Sequence, residues 1–341
     1  MLILSLLIKF TTWFSTGCPI KVVSNPVAVS KFFHSVTSGW VTGGIFVVGV
    51  SCWYLLKKRQ QKFARKSILI GSIVGIVGSL AVMLSGDSSG IHAAEFQPMK
   101  LAAAEGLQDG GKRAAFTIVP GIKIPGMLSI LATHDIDGFV PGINDILNGY
   151  TDNDGNVIPS VAEKMQRGRA ALDALAQYRS LKDTDPAGAA EALARLEADV
   201  QYMGYGHLEK PEDVVPPVGV VFWAFRLMIG LGMLTLLVLL IAGWMAWKDK
   251  LAGKKWLRVA ALVCIPLVYI GGQCGWIVAE VGRQPWTIQG LLPVNVAISS
   301  LSAAAVKTTF FLFVAIFTLF LVIEIRIMIS AIKKGPETPN E

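Results

Sequence analysis

The sequence predicts an all-α protein: a polytopic membrane helix bundle with about five transmembrane helices and one large extracytoplasmic loop. Three observations lead there. Hydrophobic residues make up 53% of the 341 and charged residues only 16%, where a soluble domain carries about a quarter charged. Five apolar runs are long enough to cross a bilayer, which takes about 20 residues of helix. The basic residues gather in short clusters beside these runs and not along one amphipathic face. The net charge of +7 therefore speaks for membrane topology and against nucleic acid.

Residues 1–24 form an atypical leader. Their apolar start, "MLILSLLIKFTTWFST", is interrupted by Lys9 and lacks the basic opening of a signal peptide. "STGC" resembles a lipoprotein cleavage site only weakly, so a partial span or a disordered leader is the favoured reading. Residues 25–84 hold the first two spans. Asn25 is placed to cap a helix and Pro26 to be its first residue, so "NPVAVSKFFHS" extends the span 36–56 backwards. The second span is "SILIGSIVGIVGSLAVML", 67–84. Residues 85–217 are too long for a simple connection and form the extracytoplasmic loop. Within it "GGKRAAFTIVPGIKIPGM" reads as irregular chain, while "SVAEKMQRGRAALDALAQYRSL" and "AGAAEALARLEADVQYM" read as amphipathic helices. Residues 218–332 hold spans three (218–247), four (257–281) and five (310–332), and 333–341 form a cytoplasmic tail.

Orientation follows from the clusters. "KKRQQKFARK" (57–66) has six Lys or Arg and "KDKLAGKKWLR" (248–258) has five. Arg326, Lys333 and Lys334 close span five. Every second connection is basic, and basic connections stay cytoplasmic. The approach to span one, the segment 85–217 and "GRQPWTIQGLLPVNVAISS" then share the outer face. Four cysteines, Cys18, Cys52, Cys264 and Cys274, are scattered without a CxxC spacing, which argues against a zinc or iron–sulfur site.

Ionisable side chains within spans are costly and mark candidate sites. His34 and Met228 both lie roughly 12–17 Å along outward-starting helices, at about 1.5 Å per residue. A histidine and a methionine at one depth are the pair that a six-coordinate haem needs. Taken singly, Met228 reads as a core gap-filler, and His34 as an interhelical hydrogen bonder. Arg226, two residues before Met228, needs an anionic partner: a haem propionate, a buried carboxylate, or water reached by snorkelling. Glu280 and Arg283 are spaced for one helix face and read equally well as a boundary ion pair, with Trp276 and Trp286 as an interfacial belt. In "KLAAAEG", Lys100 and Glu105 lie on a short helical stretch where a carboxylate could accept a proton from a substrate that loses one. Asp87 in "GDSSG" caps a turn or joins an outer-face proton network. "TDNDGN" (151–156) is rejected as a calcium loop, because Tyr150 and Val161 stand where acids are required.

With these residues assembled, the chain resembles subunit I of the cytochrome bd quinol oxidases, from Asn25 towards its C-terminal end. "NPVAVSKFFHSVTSGWVTGGIFVVGVSCWYLLK" resembles the family's fifth helix. "GDSSG" and "KLAAAE" resemble the start of its quinol loop, and "FWAFRLM" and "GWIVAEVGRQPW" its seventh and eighth helices. The resemblance implies that His34 and Met228 are axial ligands of a low-spin b haem. Glu280 becomes the carboxylate ligand of a high-spin b haem beside haem d. Lys100 and Glu105 become the loop residues of quinol binding and oxidation, and Arg226, Arg283 and Trp286 cofactor-contacting residues. It further implies a quinol:oxygen oxidoreductase working with subunit II, and in many cases a small single-span subunit, with quinol drawn from the membrane. The family's first four helices carry a histidine at the oxygen site and acidic residues on proton paths. Residues 1–24 hold no histidine and no carboxylate, so the expectation is the C-terminal five-helix part of a nine-helix subunit. That leaves the high-spin b haem and haem d dependent on helices supplied from elsewhere. Two other readings stand beside it: a truncated, non-catalytic gene product, and a transporter or channel using the intramembrane charges.

Overall fold

The structure is a computed structural model and describes residues 25–336. The expected leader, with Cys18, and residues 337–341 of the expected tail lie outside the described residues. Among the described residues, five helices are long and apolar enough to cross a membrane. The first, α1 (Pro26–Leu56), starts as the sequence requires: the Asn25 side chain accepts the Val27 N–H at 2.9 Å, and Pro26 opens the first turn. A basic turn leads into α2 (Gln61–Phe96). This helix runs well beyond the expected end of its span at 84. Hydropathy falls there, but the string of Ser, Gly and Ala contains no helix breaker until Gln97 and Pro98. Asp87 therefore sits within a helix and caps no turn.

The outer segment follows. It comprises α3 (Pro98–Glu105), a hairpin of β1 (Phe116–Val119) and β2 (Ile122–Ile124), α4 (Met127–Thr133), and α5 (Ile143–Asn148). A short pair, β3 (Tyr150–Thr151) and β4 (Val157–Ile158), precedes α6 (Val161–Leu181) and α7 (Pro186–Asp199). Both expected amphipathic helices are present. The β1–β2 hairpin replaces the irregular chain expected over that stretch. β-Branched residues flank Pro120 and Gly121, and Gly121 takes φ +93, the backbone that a Pro-Gly turn demands.

The third membrane helix is α8 (Val218–Trp247), the fourth is α9 (Lys255–Val281) and the last is α10 (Ala303–Lys334). α1 packs on α2 and α9, and α8 packs on the same two helices. The four form a ring in which α1 and α8 stand diagonally opposite. The seam between α1 and α2 depends on glycine. A Cβ on Gly44 would lie 2.6 Å from the Gly75 Cα, so the backbones touch as small-residue membrane interfaces allow. The dense apolar core, with Ile45, Val48, Ile68, Leu239 and Leu257, fills the basic half of the ring. Towards the loop, the cluster of Ala224, Cys274 and Val278 between α8 and α9 is much smaller.

After α9 the chain turns back under the outer segment through β5 (Trp286–Ile288) and β6 (Leu292–Pro293). Trp286 is buried with Met99, Ile143 and Val161, its ring centroid 4.8 Å from that of Tyr205. Trp276 is exposed, whereas Trp286 is part of the outer segment's own core and so does not belong to the expected interfacial belt. α10 contains no buried residue. Its basic end is tied to the ring by Tyr54 Oη donating to the Ile332 carbonyl at 2.8 Å and Arg59 donating to that of Lys333 at 3.1 Å.

Candidate functional site

The candidate residues gather at the loop end of the ring, supplied by α1, α2, α3, α8 and α9. His34 is half-buried on α1 and faces α2. Its Nδ1 lies 3.2 Å from Ser85 Oγ. That hydroxyl donates to the Ala81 carbonyl at 2.8 Å, so it is left to accept from the imidazole. In that arrangement the proton sits on Nδ1 and Nε2 keeps its lone pair, the tautomer a metal-ligating histidine uses. A Cβ on Gly86 would stand 3.4 Å from the imidazole Cε1. The Ser30–Ser89 contact at 2.9 Å continues this polar seam outward.

Met228 is half-buried on α8 and faces α9, where a Cβ on Gly275 would come 3.1 Å from its Sδ. His34 and Met228 thus stand on diagonal helices of the ring. No direct contact between them is recorded among the described residues, and each is cleared by a glycine on the neighbouring helix. Cofactors in helix bundles are held by side chains projecting inward from facing helices.

Arg226 has the fullest set of partners. Its Nη2 meets Glu105 Oε2 at 2.7 Å, its Nη1 donates to the Ala104 carbonyl at 3.1 Å, and its Nε donates to the Thr117 carbonyl at 2.6 Å. The guanidinium also lies over the rings of Phe222, Phe116 and Phe225, at 4.5, 4.8 and 5.2 Å from their centroids. The ion-pair side chains are 7% and 2% exposed. Of the partners the sequence allowed Arg226, the buried carboxylate is the one realised. Burial pushes the Glu105 carboxyl upward in pKa, against the downward pull of Arg226 and the Thr117 backbone.

The other pair is more open. Glu280, at the end of α9, accepts from Arg283 Nη2, with side chains 45% and 37% exposed. Arg283 Nε is buried and has no hydrogen-bond partner among the described residues. Lys100 lies alongside, its Cγ 3.1 Å from where a Cβ on Gly282 would be. Burial first, then Lys31 and Arg283, bring the Lys100 ammonium down to about 8, while Glu280 pulls the other way. The structure thus brings Glu105 to Arg226 and Lys100 to the Glu280–Arg283 turn, and keeps Trp286 apart in the core of the outer segment.

Three parts of this arrangement escaped sequence reasoning. Ser85 as the partner of His34 was hidden because its stretch was read as the end of a span. The Phe116–Phe222–Phe225 cage comes from two distant segments, although "VFWAF" beside an arginine was a usable signal. Asp87 pairs with His134 Nε2 at 3.2 Å, linking α2 to the end of α4.

Comparison with known proteins bears on this site. The family model described as "Cytochrome bd terminal oxidase subunit I" matches residues 9–336. The chain is 35% identical to the cytochrome bd-II ubiquinol oxidase subunit 1 of Escherichia coli (strain K12), covering 93% of this chain and 64% of that one. It is 30% identical to the cytochrome bd ubiquinol oxidase subunit 1 of Bacillus subtilis (strain 168), over 94% of this chain and 59% of that one. The chain thus spans roughly three-fifths of the length of these relatives. The bd oxidase structure from Geobacillus thermodenitrificans aligns with a TM-score of 0.65 at 23% identity, over 94% of this chain and 61% of that one, and so shares the fold. With five helices among the described residues long and apolar enough to span, and this family match, the protein is a multi-pass protein of the bacterial inner membrane.

Proposed function

Because the chain belongs to the cytochrome bd terminal oxidase subunit I family, we propose that it forms the quinol-oxidising, electron-transferring part of a bd-type terminal oxidase. The observation that carries this reading is the placement of His34 and Met228 on diagonal helices, directly beneath the segment that brings in Lys100 and Glu105. The residues fit a haem. Ser85 Oγ stands where it can accept from Nδ1–H of His34, which leaves Nε2 for iron, and glycines stand beside both candidate ligands. The apolar core is densest at the opposite end of the ring.

In this reading His34 and Met228 would hold a low-spin b haem through imidazole nitrogen and thioether sulfur, and Glu280 would offer its carboxylate to a high-spin b haem that works with haem d. A haem supplies a one-electron iron centre, and Met/His ligation favours its reduced form. Lys100 belongs to the quinol site, with Glu105 behind it holding Arg226; Arg283 supports the cofactors, while Trp286 braces the outer segment from its core. Arg283 offers its unpartnered Nε to an acceptor such as a propionate. A quinol gives up two electrons and two protons, so the outer segment has to order the ring and receive protons near Lys100. Subunit II, and a small single-span subunit, are the membrane partners. Short of its tied basic end, α10 buries nothing of its own and is available to them and to lipid. The outer segment, residues 85–217, is the quinol-binding unit, and the spans on either side of it are the electron-carrying unit.

The test is a reduced-minus-oxidised absorbance spectrum of membranes containing the full chain. A low-spin b-type signal is expected, lost in His34→Ala and in Met228→Leu. A haem-loaded protein whose spectrum both substitutions leave unchanged would falsify this assignment.

A further inference from the structure

Glu105 cannot meet a quinol directly in this fold. Its side chain is 2% exposed, and both carboxylate oxygens face Arg226, at 2.7 and 3.5 Å. Arg226 in turn holds three separate pieces of chain: the end of α3 through Ala104 and Glu105, the β1–β2 hairpin through the Thr117 carbonyl, and α8, on which it sits. Phe116 of the hairpin and Phe222 and Phe225 of α8 close over the guanidinium. A planar guanidinium with all three of its nitrogens engaged fixes direction as well as distance. Met228 follows two residues later, about 200° further around the helix. With Arg226 turned towards the loop, the thioether is turned towards α9 and Gly275. Any rotation of α8 about its axis that released Arg226 would also swing the Sδ.

We infer that Glu105 is a positioning residue: it locks Arg226, and Arg226 clamps the hairpin of the outer segment to the helix that aims Met228. Docking of the loop and the set of the methionine are then one equilibrium. A quinol that orders the hairpin also tightens the ligand of the electron acceptor, and an undocked hairpin loosens it. This rests on the assignment of Met228 as a haem ligand for its second half only. The clamp itself stands on the contacts of Arg226.

The test uses the full chain in membranes, haem-loaded as expressed, with Glu105→Gln and Arg226→Lys. Glutamine keeps the shape and removes the charge; lysine keeps the charge and removes the fork. One readout is the rate of tryptic cutting at Lys123, exposed on β2. The other is the midpoint potential of the low-spin b centre. The clamp predicts cutting faster by at least about tenfold in both variants, because a broken buried pair exposes the segment it held. It also predicts a shifted midpoint potential in both. A Glu105→Gln variant with wild-type cutting and potential but a lowered kcat makes Glu105 a proton acceptor and overturns the inference. Faster cutting with an unmoved potential overturns it too, since the clamp would then stop short of Met228. If Glu105→Gln does not accumulate, Glu105→Asp, which keeps the charge but shortens the reach, takes its place under the same criteria. A wild-type chain with no b-type signal would refute the haem assignment alone, and tryptic cutting would still decide the clamp.

Discussion

Arg226 and Arg283 each hold a glutamate at the loop end of the ring, yet the two pairs are built for different ends. Arg226 and Glu105 come from segments 121 residues apart and are sealed from solvent under three phenylalanine rings. Arg283 and Glu280 are neighbours three residues apart and stay more than a third exposed. Burial makes the first pair expensive to open, because a lone charge would be left in a low-dielectric site. The second can exchange its partner at little cost. The first kind of pair suits a clamp; the second leaves its carboxylate free to change partners.

Substitutions that separate charge from shape test this contrast. The largest effect is expected at the buried pair. Arg226→Leu or Glu105→Leu alone should destabilise by about 3–5 kcal/mol, while the double substitution should recover most of that loss. Unfolding of the purified protein in detergent, arranged as a double-mutant cycle, measures the difference. Additive losses would place the two residues in separate roles.

A smaller effect is expected beside the open pair. Lys100 titrates near 8 in the folded protein against its ordinary 10.5. Its folded pKa is depressed, and for a cation this means that the charged form is penalised by folding. The penalty is full below pH 8 and is relieved as pH rises from about 8 to 10.5. Lys100→Met should therefore raise stability by about 1–3 kcal/mol at pH 7, and the gain should vanish near pH 10.5. Melting temperatures of the two proteins across this range decide it, and a gain independent of pH would point to packing.

The smallest effect on stability belongs to Glu280→Gln, at most about 1 kcal/mol. The same substitution should nonetheless abolish the high-spin b signal wherever that centre is assembled. A large stability loss with unchanged spectra would reverse the contrast between the two pairs.

How much of this could be read from the chain depends on distance along it. The start of α1 at Asn25 and Pro26, and α8 over Val218–Trp247, follow from local caps and hydropathy. The α-helical spacing of Glu280 and Arg283 is equally local. The continuation of α2 to Phe96 was missed because hydropathy marks the edge of the bilayer and not the end of a helix. The β1–β2 hairpin was missed although its Pro120–Gly121 turn carried a signal. For Arg226 the sequence dictated the class of partner, since a buried guanidinium must find an anion or a carbonyl. Which carboxylate answered, Glu105, was settled by the folding of a loop of more than a hundred residues. Ser85 became visible only once the seam between α1 and α2 was in place.

The continuation of α2 has a mechanical consequence. From Leu84 to Phe96 it adds about 18 Å of rigid rod above the apolar run, at 1.5 Å per residue, and α3 follows at its tip after a single residue, Gln97. The rod works as a mast, setting both the height and the compass bearing of Lys100 and Glu105 over the membrane. Deleting one residue from it would turn the bearing by about 100°, whereas deleting seven would nearly restore the bearing and lower the height by about 10 Å. Height and bearing can thus be varied separately, which makes the stretch beyond the Ser85, Asp87 and Ser89 contacts the natural place to measure how far above the bilayer the loop must stand.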